Sequence, residues 1–165
     1  MIFNIILTII CVITLAYAIN TFNIENKNNK SKISFKESFD LLNVPIITFT
    51  YNNRKLHFLF DTGSSLSHIR PELIKSLKLK KQKTESSGSI AANGVINFNG
   101  ICSIPLGYKE EKYNADFMIT EGITASLDTI KQDFNIEVHG ILGCDFFNKY
   151  NYVIDFKEAV IYSKK

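Results

Sequence analysis

One short stretch of the sequence combines residue types that could do chemistry. The apolar run Phe58–Phe60 leads directly into Asp61, Thr62, Gly63 and Ser64. Gly63 permits a tight turn, and a carboxylate on such a turn is balanced between loss of water and hydrogen bonds from the turn. That balance suits general acid–base catalysis. The same tripeptide also fits an Asp that only closes a turn through its own side chain.

A single carboxylate has a limited catalytic repertoire. Two carboxylates that share one proton can hold a water between them, one as base and the other as acid. The sequence contains one Asp-Thr/Ser-Gly tripeptide, at Asp61. If Asp61 works in this way, its partner is Asp61 of a second copy, and a symmetric dimer supplies that pairing.

A second motif follows later in the chain. Ile141, Leu142 and Gly143 precede Cys144 and Asp145, and a glycine-tipped hairpin is predicted between this motif and Asp61. This order resembles the retropepsin-like aspartic proteases, the single-domain relatives of pepsin. In that family an apolar strand ends in Asp-Thr/Ser-Gly, and a flap hairpin, an apolar-apolar-Gly motif, a short helix and a closing strand follow.

The resemblance implies roles for individual residues. Asp61 would be the catalytic acid and base of an endopeptidase, Thr62 would bond across the dimer axis, and Ser64 would support the carboxylate. Residues 86–100 would form the flap over a polypeptide substrate, and its tip would be Ala91, Ala92, Asn93 and Gly94. The implied enzyme is a homodimer that uses no cofactor and no metal.

The sequence predicts mostly β-strands for the elements that position these residues. The sequence predicts strands over 45–51, 55–60, 67–70, 113–120, 138–143, 152–156 and 159–162, a hairpin over 84–105, and short helices over 71–77, 128–134 and 145–150. Many short strands at close spacing favour a closed or sandwich-like fold. The resemblance makes this a retropepsin-like closed β-barrel with one or two short helices.

The N-terminus has a different composition from the rest. Residues 1–20 form an apolar segment, predicted as a transmembrane anchor because no Lys or Arg precedes it and several lysines follow. The alternative is an exported protein whose signal peptide is cleaved near Ala18. Residues 21–32 are polar and predict a linker, which leaves residues 33–165 as the protease domain.

Other function classes find little support. A net charge of +3 and a short cluster of lysines do not indicate nucleic-acid binding. The cysteines have no metal-ligand spacing, so no metal site is predicted. His68 follows Ser64 closely, but no G-x-S-x-G motif supports a serine hydrolase. The main alternative is a retropepsin-like module at the membrane that binds peptides or dimerises without catalysis.

Overall fold

The computed structural model describes residues 10–21, 32–83, 88–91 and 94–163. The chain has two compact units, residues 1–32 and residues 33–165. In the first unit, helix α1 is described over residues 10–21. Within the described ranges, no helix is both long enough and apolar enough to cross a bilayer. Residues 1–9 of the predicted anchor and most of the predicted linker lie outside these ranges, so both stay predictions.

The second unit consists of short strands and helices. The strands are β1 (Lys32–Ser34), β2 (Ile46–Tyr51), β3 (Arg54–Phe60), β4 (His68–Ile69), β5 (Gly88–Ala91), β6 (Gly94–Asn97), β7 (Ile101–Tyr108), β8 (Glu111–Ile119), β9 (Gly140–Leu142), β10 (Tyr152–Asp155) and β11 (Val160–Ser163). The helices are α2 (Lys36–Leu42), α3 (Pro71–Leu77), α4 (Thr124–Phe134) and α5 (Cys144–Lys149).

Six of the described strands close into a barrel, in the order β2-β3-β9-β4-β8-β7. The predicted closed, mostly β fold is therefore confirmed. Within the barrel, β3 and β9 are parallel, with Phe58 opposite Gly140 and Phe60 opposite Leu142. Because the strands run the same way, the residues that follow them emerge at the same end of the barrel. Separately, β1, β11 and β10 form a three-stranded sheet, and β5 and β6 form a hairpin.

The barrel is filled by alternate residues of each strand, as a half-buried strand requires. In β3, Leu56, Phe58 and Phe60 are buried, whereas His57 and Leu59 between them are only half-buried. Phe58 stacks on Phe117 with ring centroids 5.1 Å apart. This aromatic core fixes the register of β3 and so fixes which way its last residues point.

Local turn chemistry explains the elements that were predicted well. Asn52 and Asn53 join β2 to β3 with φ angles of 47° and 62°, and positive φ at both positions is what a tight hairpin turn needs. Pro71 occupies the first turn of α3, where its missing N–H is not needed. The predicted first hairpin and the predicted helix over 71–77 are confirmed.

Other elements differ from the prediction. The hairpin predicted over 84–105 is shorter, because β7 leaves it and joins the barrel opposite β8. Helix α4 extends over Thr124–Phe134, longer than the predicted turn, because Leu127 and Ile123 pack in a second apolar cluster with Val138. Strand β1 and helix α2 were not predicted.

Candidate active site

Asp61 lies at the end of β3 where the barrel presents its loops. Its backbone N–H donates to the carbonyl of Leu142 at 3.1 Å, so the parallel pairing of β3 and β9 continues one residue past the last strand position. Gly143 follows β9 at the same end. The fold therefore brings the two sequence motifs together, as the resemblance implied.

The turn after β3 holds the Asp61 carboxylate from within. The backbone N–H of Gly63 donates to Asp61 Oδ1 at 2.8 Å, and the N–H of Ser64 donates to the backbone carbonyl of Asp61 at 3.1 Å. Asp61 is half-buried, whereas Thr62 and Gly63 are exposed. The turn thus orients a carboxylate that solvent, a substrate or a second copy can reach.

Ser64 supports the turn in a different way from the one expected. Its side chain is buried, with 2% exposed, and its hydroxyl donates to the carbonyl of Leu66 at 2.8 Å. The expectation was a hydroxyl directed to the Asp61 carboxylate. The hydroxyl instead stabilises the backbone of the turn. Because its proton is donated to the Leu66 carbonyl, this geometry does not support a serine-hydrolase nucleophile activated by His68.

The apolar-apolar-Gly motif packs directly behind this turn. Leu142 is fully buried in the core. A Cβ atom on Gly143 would lie 2.5 Å from the carbonyl oxygen of Leu66 and 2.8 Å from that of Ser64. Glycine is required here because the backbone of the turn passes too close for any side chain.

Further hydrogen bonds tie the turn to the start of α5. The N–H of Cys144 donates to the carbonyl of Ser64 at 2.9 Å, and the N–H of Asp145 donates to that of Ser65 at 3.3 Å. The Cys144 thiol donates to the carbonyl of Thr62 at 3.2 Å. Helix α5 is thereby held against the whole length of the turn.

Two residues near the site were not recognised as part of it from the sequence. Ser67, with 1% exposed, donates its hydroxyl to Asp145 Oδ1 at 2.7 Å. Asp145 Oδ1 accepts both this hydroxyl and the N–H of Phe146, the latter at 2.8 Å. His68 is fully buried, and burial lowers its pKa although the nearby Asp145 and Asp61 carboxylates raise it.

The predicted flap is described over its strands. β5 and β6 pair antiparallel, with Ala91 opposite Gly94 and Ser89 opposite Ile96. Ala92 and Asn93, the predicted tip, lie outside the described residues. Before and after the hairpin, Gln82 and Ile101 exchange two backbone hydrogen bonds of 2.8 and 3.0 Å, which close the base of the segment.

Metal ligands do not cluster in the described part of the chain, where no group of three or more His, Cys, Asp or Glu side chains could hold an ion. Burial, with a smaller effect from Asp116, raises the pKa of the Cys102 thiol to about 12, so this cysteine stays protonated. Cys102 is buried and Cys144 is half-buried, and both are free thiols. Cys102 therefore lacks the surroundings that activate a thiolate.

A closed β-barrel with an Asp-Thr-Gly turn packed on an apolar-apolar-Gly motif defines the class of acid proteases. The family model of aspartyl proteases matches residues 47–146, which is more than half of the chain. The chain belongs to the aspartyl protease family, and the resemblance to retropepsin-like aspartic proteases is confirmed.

Several solved structures are similar to the chain. EIAV protease in complex with the inhibitor HBY-793 is 19% identical, with a TM-score of 0.45, over 67% of this chain and 90% of that one. A retropepsin-like aspartic protease from Rickettsia conorii is 16% identical, with a TM-score of 0.45, over 80% and 88% of the two chains. The retroviral protease-like domain of Ddi1 from Leishmania major is 12% identical, with a TM-score of 0.43, over 73% and 91%. No curated protein matches the chain.

Proposed function

We propose that this chain is an aspartic endopeptidase whose active site forms when two copies place their Asp61 carboxylates side by side. The observation that supports this most directly is the Asp61 turn, a reachable carboxylate fixed by the Gly63 N–H at 2.8 Å. The family supplies the reaction class. The chain supplies one such turn, so a second copy is needed for a carboxylate pair.

In this mechanism one Asp61 takes a proton from a water held between the two carboxyl groups. The water oxygen attacks the carbonyl carbon of the peptide bond, and the other Asp61 donates its proton as the bond to nitrogen breaks. Two carboxylates this close cannot both ionise, so one enters the reaction protonated. The products are a new carboxyl group and a new amine.

Two grooves of the single protomer do not include Asp61 in their lining. A groove of about 800 Å³ is lined by residues that include Thr48, His57 and His139, and a second of about 510 Å³ lies beside it near Arg70. Asp61 lines neither of these two grooves.

The β5–β6 hairpin would act as the flap. Its base is closed by the paired Gln82 and Ile101, so that β5 and β6 would lie over a bound peptide. Closure would exclude water from the reacting atoms. Thr62, exposed beside Asp61, would meet its counterpart across the dimer axis.

We also propose that residues 1–20 tether the protein to a membrane. Apolar side chains of α1 support this, since Ile13 and Leu15 are 62% and 63% exposed. Tethering would raise the effective concentration of the protease domain and favour dimer formation. Recovery of the full chain from cells in a fraction that salt releases from membranes would contradict the tether.

The test of the proteolytic function is cleavage of a diverse peptide pool by the full chain, at several protein concentrations, beside Asp61→Asn. The substitution keeps an oxygen that can accept the Gly63 N–H but removes the ionisable group, so we expect activity to fall by about 10²–10⁴-fold. In the wild-type chain activity should rise more steeply than linearly with concentration, because only dimers are active.

Asp155→Asn is a matched control. Asp155 also closes a turn through its side chain, since its Oδ1 accepts the N–H groups of Lys157 and Glu158 at 3.0 Å each. We expect this variant to retain wild-type cleavage. Cleavage that survives Asp61→Asn would overturn the proposal and favour a peptide-binding or dimerisation module.

A further inference from the structure

A pair formed by the buried Ser67 and the half-buried Asp145 links the Asp61 turn to the start of α5. The Ser67 hydroxyl donates to Asp145 Oδ1 at 2.7 Å and accepts the backbone N–H of Gly143 at 3.0 Å. Ser67 is 1% exposed. A buried hydroxyl with both a donor and an acceptor satisfied is stable, whereas loss of one partner leaves a costly unpaired group.

The pair fixes one of the two ends of the turn. At the first end, the N–H of Asp61 donates to the carbonyl of Leu142. At the other end, the N–H of Gly143 donates to Ser67 Oγ. The turn over residues 61–67 is therefore attached at both ends to two consecutive residues of the apolar-apolar-Gly motif.

The two attachments differ in kind. The Asp61 end is held by a backbone bond, which every substitution except proline preserves in type. The Ser67 end is held by a backbone bond from the Met118 N–H to the Ser67 carbonyl at 2.8 Å and, toward α5, by the Ser67 side chain. Asp145 fixes the direction of that hydroxyl while its Oδ1 also accepts the N–H of Phe146 at 2.8 Å. Loss of either side chain would remove the side-chain part of this attachment, leave the backbone bonds of the turn in place, and let the Asp61 carboxylate shift.

We propose that Ser67 and Asp145 are a positioning pair that sets the location of the Asp61 carboxylate by fixing the far end of its turn to α5. This inference rests on the proposed proteolytic function for its kinetic consequence, but the geometric part concerns the turn alone. Neither residue needs to touch the substrate.

The test compares kcat and KM of the full chain with those of Ser67→Ala, Asp145→Ala and Asp145→Asn. A displacement of about 1 Å at a reacting group costs up to about 100-fold in rate, so Ser67→Ala and Asp145→Ala should lower kcat by about 10- to 100-fold with KM within about twofold. Asp145→Asn should stay close to wild type, because its amide oxygen can accept both the Ser67 hydroxyl and the Phe146 N–H. The double variant Ser67→Ala/Asp145→Ala should be no worse than either single variant.

A second readout does not depend on proteolysis. The backbone N–H of Gly63 donates to Asp61 Oδ1, so its hydrogen exchange reports whether the carboxylate keeps its place. Exchange at Gly63 should accelerate in Ser67→Ala and remain slow in Asp145→Asn. If wild type never cleaves a peptide, the proposed function fails, and the Gly63 exchange still tests the positioning pair.

Ser103→Ala and Asp116→Asn are the matched controls. Ser103 donates its hydroxyl to Asp116 on the β7–β8 hairpin. This is a second Ser–Asp pair, and it lies away from the Asp61 turn. Both controls should leave kcat and Gly63 exchange at the wild-type level. If Ser67→Ala does not fold, Ser67→Cys replaces it, since it keeps the side-chain size with only a weak donor.

Some results would overturn the inference. These are unchanged Gly63 exchange in Ser67→Ala, a change in KM with kcat preserved, or Asp145→Asn as impaired as Asp145→Ala. Equal losses in the Ser103 and Asp116 controls would also overturn it, because the effect would then be general destabilisation.

Discussion

The parallel strands β3 and β9 have very different surroundings at their two ends. Where they end, Asp61 and Gly143 emerge into a turn in which a reachable carboxylate accepts the Gly63 N–H. Just before the first paired residues of the two strands, Phe58 and Gly140, the rings of His57 and His139 lie 5.8 Å apart. The backbone N–H of His57 donates to His139 Nδ1 at 3.0 Å, and the backbone N–H of His139 donates to the backbone carbonyl of His57 at 2.8 Å.

The two ends differ in the environment of their ionisable side chains. Burial lowers the pKa of His57, and Lys55 lowers it further. Burial is also the largest cause of the lowered pKa of His139, which the neighbouring Glu137 partly offsets. The histidine end thus keeps neutral rings as hydrogen-bonding parts of the structure, whereas the Asp61 end presents a half-buried carboxyl group held by the Gly63 N–H.

Among the substitutions that test the difference between the two ends, Gly143→Ala should have the largest effect on stability and cleavage. The new Cβ would lie 2.5 Å from the carbonyl oxygen of Leu66, and with φ of −95° at Gly143 the conflict is steric rather than conformational. We expect a loss of about 1–3 kcal/mol in the free energy of unfolding and a loss of proteolysis, measured by urea denaturation and peptide cleavage.

Gly107→Ala is the control for this substitution. Its Cβ would meet the side-chain oxygen of Thr50 at 2.6 Å, and a side chain can rotate away where a backbone carbonyl cannot. We expect a loss below about 1 kcal/mol with cleavage retained. Equal losses of stability in the two variants would show that the backbone near Gly143 moves aside as readily as the Thr50 side chain.

A smaller effect should follow from Ser64→Ala at the same end. The buried Ser64 hydroxyl donates to the carbonyl of Leu66 at 2.8 Å, and loss of such a bond costs about 1 kcal/mol. The control is Thr129→Ala, which removes an exposed hydroxyl that donates to Ala125 within α4. Water replaces that bond, so urea denaturation should give a change within about 0.5 kcal/mol. A Ser64 variant as stable as the Thr129 variant would mean that the Ser64 hydroxyl does not stabilise the turn.

The end with Asp61 could be predicted from the sequence because its signals are local. Asp61-Thr62-Gly63 and Ile141-Leu142-Gly143 are contiguous, and each contains a glycine whose position has a steric or turn-forming reason. The Asn52–Asn53 turn and Pro71 likewise act on their immediate neighbours. Patterns of this kind indicate their structure without knowledge of the rest of the chain.

The other features could not be predicted, because they depend on register between distant segments. His57 and His139 are 82 residues apart, and Ser67 and Asp145 are 78 apart. Each pair meets only because Phe58 lies opposite Gly140 in the parallel strands, a register set by core packing rather than by a local motif. In this register His139 is half-buried.

Helix α2 was missed for a related reason. It has no side-chain cap at its N-terminus and ends at Asn43 in the left-handed conformation. Its stability comes from Phe39, whose ring lies 5.7 Å from both Phe35 and Phe156. A helix held by aromatic contacts with the far end of the chain gives little local signal.

The smallest expected effect concerns the histidine end and is a dependence of stability on pH. Lowered pKa values in the folded state mean that the unfolded chain binds protons more readily as pH falls through the ordinary histidine value of 6.5. The free energy of unfolding should therefore be highest above that value and decrease as the pH is lowered toward about 5. Urea denaturation across this range measures the slope.

The double variant His57→Gln/His139→Gln should flatten that slope. Glutamine at position 139 offers an oxygen that can accept the N–H of residue 57, so the structural bond is kept while the titrating rings are removed. His68, whose pKa burial also lowers, remains in the variant and should leave a residual slope. A slope as steep as that of wild type would show that the histidine end does not titrate on unfolding. The difference between the histidine end and the Asp61 end of β3 and β9 would then rest on exposure alone.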